Sequence, residues 1–152
     1  MNIEDKLEDL SIILPAVVVP LGSYVPCIQT GNLLFLSGIL PLREGRLFRT
    51  GRVGDTVSLA EAQEEARQVV LNALSVVKNH LGSLEKIRRC IRLNGYVASA
   101  DDFTEQPKVL NAASDLLVEI FGESARHTRM AVGVFNLPLN SPLEIDFIFE
   151  VS

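Results

Sequence analysis

Apolar and polar positions along this chain follow two periods, one helical and one of strands. Ile3, Leu7 and Leu10 recur at helical spacing and predict a short amphipathic helix that ends before Pro15. From Val17 the pattern turns to β. Val17-Val18-Val19 leads to a turn-like Pro20-Leu21-Gly22-Ser23, then to an extended run from Tyr24 to Gln29, and Leu33 to Leu36 follows Gly31-Asn32. Gly45 supplies the turn of a further hairpin from Leu40 to Phe48.

The clearest helix opens at Ser58-Leu59-Ala60-Glu61, which matches a capping box. Leu59, Ala62, Ala66, Val69, Val70, Ala73, Leu74, Val77 and Leu81 then recur at steps of three and four, with Glu61, Glu64, Glu65, Arg67, Gln68 and Lys78 mostly opposite, and Gly82 as the C-cap. After Ser83 to Lys86, the stretch Ile87 to Ala98 alternates, with Ile91, Leu93 and Val97 on one side and Cys90, Arg92, Asn94 and Tyr96 on the other. A second helix spans Gln106 to Phe121, with Pro107 in its first turn and Gly122 at its close. Met130 to Phe135 and Leu143 to Val151 are the last strands.

This order predicts an α+β fold, one sheet with two helices packed on one face, in a single domain over residues 1–152 with residues 1–14 as a short helical extension. The last strand sets Leu143, Ile145, Phe147 and Phe149 on one side and Glu144, Asp146, Ile148 and Glu150 on the other, so neither sheet face is wholly polar.

Composition sharpens that point. The chain has 152 residues, 47% hydrophobic and 22% charged, with a formal charge of −5. A globular chain of this size has a surface of roughly 7,600 Å² and one sizeable core. Mean hydropathy is +0.25. The longest apolar stretch, Ile12 to Leu21, is too short for a membrane span and carries Pro15 and Pro20. The acidic start, with Glu4, Asp5, Glu8 and Asp9, is unlike a signal peptide, and a cytoplasmic protein is expected. With no membrane to receive the apolar surface, burial between subunits of a homo-oligomer is the preferred explanation. Cys27 and Cys90 stand alone, without CxxC or paired histidines, so neither a disulfide framework nor a metal site is indicated, and both read as small buried apolar residues.

The usual catalysts are missing. His80 falls in the last turn of the capped helix and His127 in a loop near Arg126 and Arg129, and both read as structural or exposed. There is no GxSxG elbow, phosphate loop or dinucleotide fingerprint. A polar set beside strands remains: Arg129 before Ala131-Val132-Gly133-Val134, Glu144 entering the last strand, Ser37-Gly38 after an apolar strand, and Tyr24 after Gly22. Read alone, Arg129 and Glu144 suit a surface ion pair, and Ser37-Gly38 a plain turn, better than they suit a site, since exposed ion pairs are common.

Several motifs in order narrow this. Arg129-Met130-Ala131-Val132-Gly133-Val134, Leu137-Pro138 and Pro142-Leu143-Glu144-Ile145-Asp146 resemble the C-terminal signature of the RidA/YjgF family, also called the endoribonuclease L-PSP family. Gly22-Ser23-Tyr24-Val25, Gly31-Asn32-Leu33-Leu34-Phe35-Leu36-Ser37-Gly38 and Pro41 match its N-terminal pattern, and Asp102-Phe103 precedes the second helix as it does there. The resemblance covers nearly all of residues 15–152.

It implies a chorismate-mutase-like fold with a mixed sheet, a homotrimer, and ligand clefts between neighbouring subunits. It also implies hydrolysis of reactive enamines and imines, such as 2-aminoacrylate and related 2-imino acids, to 2-keto acids and ammonia, without cofactor or metal. By motif, Arg129 falls on the arginine that holds the substrate carboxylate, and Glu144 on the acid that positions the attacking water. Tyr24, Ser37 and Gly38 fall on cleft-lining positions, and Asn111 on the cleft asparagine. Ala131 stands where many deaminating members have cysteine, and the segment Asn94 to Ala100 reads as longer than in compact members.

These residue types suit the chemistry. A guanidinium does not deprotonate but matches a carboxylate with two parallel hydrogen bonds, and an imine needs only a placed water and stabilised charge. Two other readings compete. One is a non-catalytic binder of small carboxylates or keto acids, which would use the same arginine. The other is a ribonuclease or translation inhibitor, for which Arg43, Arg46, Arg49, Arg52, Arg88, Arg89 and Arg92 are the candidate contacts. The charge of −5 and the lack of an aromatic stacking platform oppose RNA binding, so a solvated or interface role for these arginines is expected.

Overall fold

The computed structural model describes every residue except Met1, Val18, Val19 and Leu21. Strands β1 (Cys27–Thr30), β2 (Leu33–Leu36), β3 (Ile87–Ala98), β4 (Thr128–Val134) and β5 (Leu143–Val151) form one sheet in the order β1-β2-β5-β3-β4. β3 and β4 pair in parallel and the other neighbours antiparallel, giving the mixed sheet of an α+β fold. The parallel pair needs a crossover, and the helix α3 (Gln106–Phe121) supplies it.

The other long helix, α2 (Leu59–Leu81), begins with the complete capping box: Ser58 N–H donates to Glu61 Oε1 at 3.0 Å and Glu61 N–H to Ser58 Oγ at 3.1 Å. It ends at Gly82, whose φ of 81° is open to glycine at little cost. The short helix α1 (Ile3–Asp9) packs its buried Leu7 on the body near α3, and Glu4 pairs with Lys78 of α2 at 2.7 Å.

β5 shows why both long helices share one sheet face. Leu143, Ile145, Phe147 and Phe149 are fully buried beneath α2 and α3, whereas Glu144, Asp146, Ile148 and Glu150 are half-buried on the open face. Burying each such large apolar side chain contributes roughly 1.5–3 kcal/mol. The approach is close at Gly95, where the Leu110 side chain of α3 occupies the space a Cβ would need.

Several expectations are corrected. Tyr24 to Gln29 is extended only from Cys27, and Val17 is in no strand, while the Val18, Val19 and Leu21 of the expected strand and turn lie outside the described residues. The hairpin from Leu40 to Phe48 shrinks to the turn Glu44-Gly45, both at positive φ, across which Arg43 and Arg46 exchange backbone hydrogen bonds of 2.8 and 3.1 Å. Its flanks bind α2 instead of a strand: Asn72 Nδ2 donates to Leu40 O at 3.0 Å and Leu42 O at 2.9 Å.

Glu65, expected on the polar side of α2, is 1% exposed and accepts from Arg43 at 2.6 and 2.8 Å and from Arg49 at 3.3 Å. Arg49 also pairs with Glu61 and Glu64, and Arg52 stacks on Phe135 and donates to its carbonyl at 2.7 Å. These arginines are therefore neither merely solvated nor free for a partner; they tie loops to the domain. Cys90 lies on the core face with Leu93, because a register shift between Cys90 and Arg92 inverts the alternation. Cys27 is half-buried, on an edge strand.

Candidate active site

Arg129 lies on the edge strand β4, paired with Leu93 of β3, and so faces the helices. There α3 receives it. Nη1 donates to Asn111 Oδ1 at 2.8 Å and Ser114 Oγ at 3.1 Å, and Nη2 points to Pro107 O at 3.4 Å. All three acceptors are neutral, and no carboxylate pairs with Arg129 among the described residues. Of its five N–H groups, the one on Nε and one on Nη2 have no acceptor among the described residues, enough for the two oxygens of a carboxylate. Ala131, two residues on, shares the face and packs on the core.

His127 steadies this cluster. Its Nδ1 lies 2.6 Å from Ala125 O and its Nε2 2.9 Å from Ser114 Oγ. The carbonyl requires the proton on Nδ1, which leaves Nε2 to accept from the Ser114 hydroxyl and turns the serine lone pairs toward Arg129. Burial pushes His127 below its ordinary pKa and the nearby Arg129 charge adds to this, against the opposing pull of the Ala125 hydrogen bond.

Glu144 belongs to a second cluster, on the open face. It sits half-buried opposite Tyr96 of β3, and no hydrogen bond to it occurs among the described residues. Burial, then the Asp146 carboxylate, raise its pKa above the ordinary carboxylate value. Asp146 is held by Asn94 Nδ2 at 2.8 Å, and Asn94 by Arg92 Nε at 2.9 Å. Gly38 lies against Glu144: a Cβ there would be 2.8 Å from Oε2. Ser37 Oγ donates to Val25 O at 2.6 Å, so the hydroxyl presents lone pairs rather than its proton. Tyr24 stands 53% exposed at the mouth of a recess that Ser37 and Gly38 also line.

The seven predicted residues thus form two groups, Arg129 with Asn111 and Ala131 and Glu144 with Tyr24, Ser37 and Gly38. Arg129 and Glu144 are no ion pair. They lie on opposite sheet faces, two strands across and three residues along, with Cα atoms about 14 Å apart by strand geometry. Ser114, Pro107 and Asp146 are not named as site residues by the sequence, and His127, read there as structural or exposed, supports the cluster through Ser114. Ser114 falls three residues after Asn111, the helical spacing that puts both on one side of α3, and that is the signal that finds it.

Neither cysteine is poised as a nucleophile: burial pushes the Cys90 thiol up to about 12 and raises that of Cys27. No group of three or more His, Cys, Asp or Glu among the described residues is arranged to hold a metal ion. No helix among them is long and apolar enough to cross a membrane.

Comparison with known proteins agrees with this fold. A family model described as "YjgF/chorismate_mutase-like, putative endoribonuclease" matches residues 4–151. The chain is 39% identical over 148 residues to Protein TCP17 of Trypanosoma cruzi, covering 97% of this chain and 92% of that protein. It is 28% identical over 132 residues to a 2-iminobutanoate/2-iminopropanoate deaminase of Dermatophagoides farinae, covering 87% of this chain and 88% of that protein. The solved structure of Atu1372, a protein of unknown function from Agrobacterium tumefaciens, matches with a TM-score of 0.92 and 46% identity over 99% of this chain and 92% of that chain. A family match across nearly the whole chain, together with the mixed sheet and its two helices, establishes that this chain belongs to the YjgF/chorismate mutase-like family.

Proposed function

We propose that this protein hydrolyses reactive 2-imino acids and their enamine tautomers, such as 2-aminoacrylate, to 2-keto acids and ammonia. The observation that carries the reading is Arg129: a cation held in place by three neutral acceptors, with donors to spare and no carboxylate partner among the described residues. Such a group binds a small carboxylate side-on. The similarity to a protein named as an imine deaminase supports the same chemistry.

Water adds across the C=N bond: its oxygen bonds to the carbon, and one proton passes to the nitrogen. The resulting carbinolamine then expels ammonia and leaves the C=O of the keto acid. Glu144 orients the water and carries its proton, a task suited to a half-buried carboxylate of raised pKa. Ser37, its proton committed to Val25 O, accepts from the substrate N–H. Because Arg129 and Glu144 face opposite sides of one sheet, the reading requires Arg129 of one copy and Glu144 of another in one cleft, as in a homotrimer. A ribonuclease has less support, since Arg43, Arg49 and Arg52 are engaged within the chain and its charge is −5.

The test generates 2-aminoacrylate in situ and follows keto-acid release. Wild type accelerates it, and Arg129→Ala lowers kcat/KM by about a hundredfold, the loss of a charged bidentate contact. No acceleration by wild type, with keto acids still bound, would establish a binder instead.

A further inference from the structure

The Tyr24–Ser37–Gly38 wall does not end at Glu144. It continues into a recess of about 70 Å³ between the segment after β2 and helix α2, floored by Leu42, Val76 and Asn72 and walled by Ile39 and Leu40. Leu42 and Val76 are buried, and Leu40 is half-buried at the side. The one buried polar side chain here, Asn72, is spent: both Nδ2 hydrogens go to Leu40 O and Leu42 O, and Oδ1 accepts from Gln68 Nε2 at 3.0 Å. The recess therefore offers hydrocarbon and no free donor on its floor. A polar substituent entering it would lose its hydration without replacement, whereas an apolar one gains contact.

Gly38 joins the recess to the proposed chemistry, since it both lines the recess and abuts the Glu144 carboxylate. A substrate whose imine carbon sits beside Glu144 has its side chain next to this opening. We infer that the recess takes the substrate side chain and selects 2-imino acids with a short branched aliphatic chain over those with a methyl or a polar group. The inference rests on the imine-hydrolysis reading and adds the substrate class. The volume suits a few methyl-sized groups, and the same segment is pinned by Asn72 and Glu65, so the recess is held open by α2 rather than by the ligand.

The experiment forms imino acids in situ from alanine and from leucine with an L-amino acid oxidase and catalase. It reads the ratio of the two accelerated rates. In parallel, calorimetry compares binding of pyruvate and 4-methyl-2-oxopentanoate. Wild type favours the leucine-derived imine by on the order of tenfold to a hundredfold, and binds the larger keto acid more tightly. Val76→Phe, which fills the floor, removes the preference, and Val76→Ala moves it toward still bulkier chains. The ratio is insensitive to a uniform loss of folded protein.

Equal rates on both imines, or a preference that survives Val76→Phe, would overturn the inference while leaving imine hydrolysis intact. If neither imine is accelerated but the larger keto acid binds more tightly and loses that advantage in Val76→Phe, the recess assignment stands and the hydrolysis falls. Equal binding of both keto acids with no hydrolysis removes both.

Discussion

Gly38, just beyond β2, and Glu144 of the neighbouring strand β5 are in contact: the carboxylate lies where a side chain on the glycine would be, 2.8 Å from the position of a Cβ. The backbone of Gly38 is not in the left-handed region, so the glycine serves the neighbour and not the turn. Gly38→Ala is expected to displace the carboxylate by several tenths of an ångström or more. We predict a loss of kcat of ten- to a hundredfold with a melting temperature within a few degrees of wild type. Imine hydrolysis rates beside a thermal melt check both halves; unchanged kcat would separate Glu144 from the reaction.

Glu144 sets the acid limb of the pH profile. Its pKa is raised by burial and then by Asp146, so activity that needs the carboxylate falls as pH drops through a midpoint above the ordinary carboxylate value. Asp146→Asn removes the charge and shifts that midpoint down. The sign for stability follows: a raised folded pKa favours the protonated form, so the stability Glu144 contributes is complete below its unfolded pKa and is lost as pH rises through the folded one. An acid limb that stays in place in Asp146→Asn would contradict the assignment.

Ser114 bridges Arg129 to His127, with contacts of 3.1 and 2.9 Å. Ser114→Ala leaves the guanidinium charge but loosens its aim. We expect KM for imino acids to rise about tenfold, the scale of a hydrogen bond to a charged group, with kcat changed much less. Ser114→Thr keeps the hydroxyl and restores most of the affinity. Steady-state kinetics of the three proteins test this, and a merely structural serine would lower folded protein without changing KM.

Glu65 is a buried carboxylate shared by Arg43 and Arg49. Removing it leaves Arg43, itself largely covered, without its partner. Glu65→Ala is predicted to cost about 3 kcal/mol in urea unfolding, against under 1 kcal/mol for the exposed pair member Glu123→Ala. Equal costs would mean that the network contributes little.

The parts legible in the sequence were those set by local rules. The capping box at Ser58, the C-cap at Gly82, the strand Leu143–Val151 and the bounds of α3 each follow from a few neighbouring residues, and the fold has them as read. What escaped was tertiary. Cys90 changes face because of a bulge, a property of the β3–β5 register and not of β3 alone. Glu65 and Asn72 look like surface residues of an amphipathic helix, yet each is buried because an irregular segment brings two arginines and two carbonyls to it. The motif pattern offers the candidate residues of the site, but not their geometry. That Arg129 and Glu144 face opposite ways depends on sheet order, which no spacing within one strand encodes.

That opposition carries the account's central claim, a hydrolytic site completed by two copies of the chain. The most direct measurement co-refolds Arg129→Ala with Glu144→Gln in equal amounts and assays imine hydrolysis. Each variant alone retains on the order of a hundredth of wild-type activity or less. In the mixture, a site with both groups intact arises wherever the Arg129 comes from one variant and the Glu144 from the other, so about a quarter of wild-type activity returns if each interface pairs two chains head to tail. Recovery near that level is the predicted result. A mixture as inactive as its components, beside fully active wild type treated the same way, would contradict it and require both groups from a single chain.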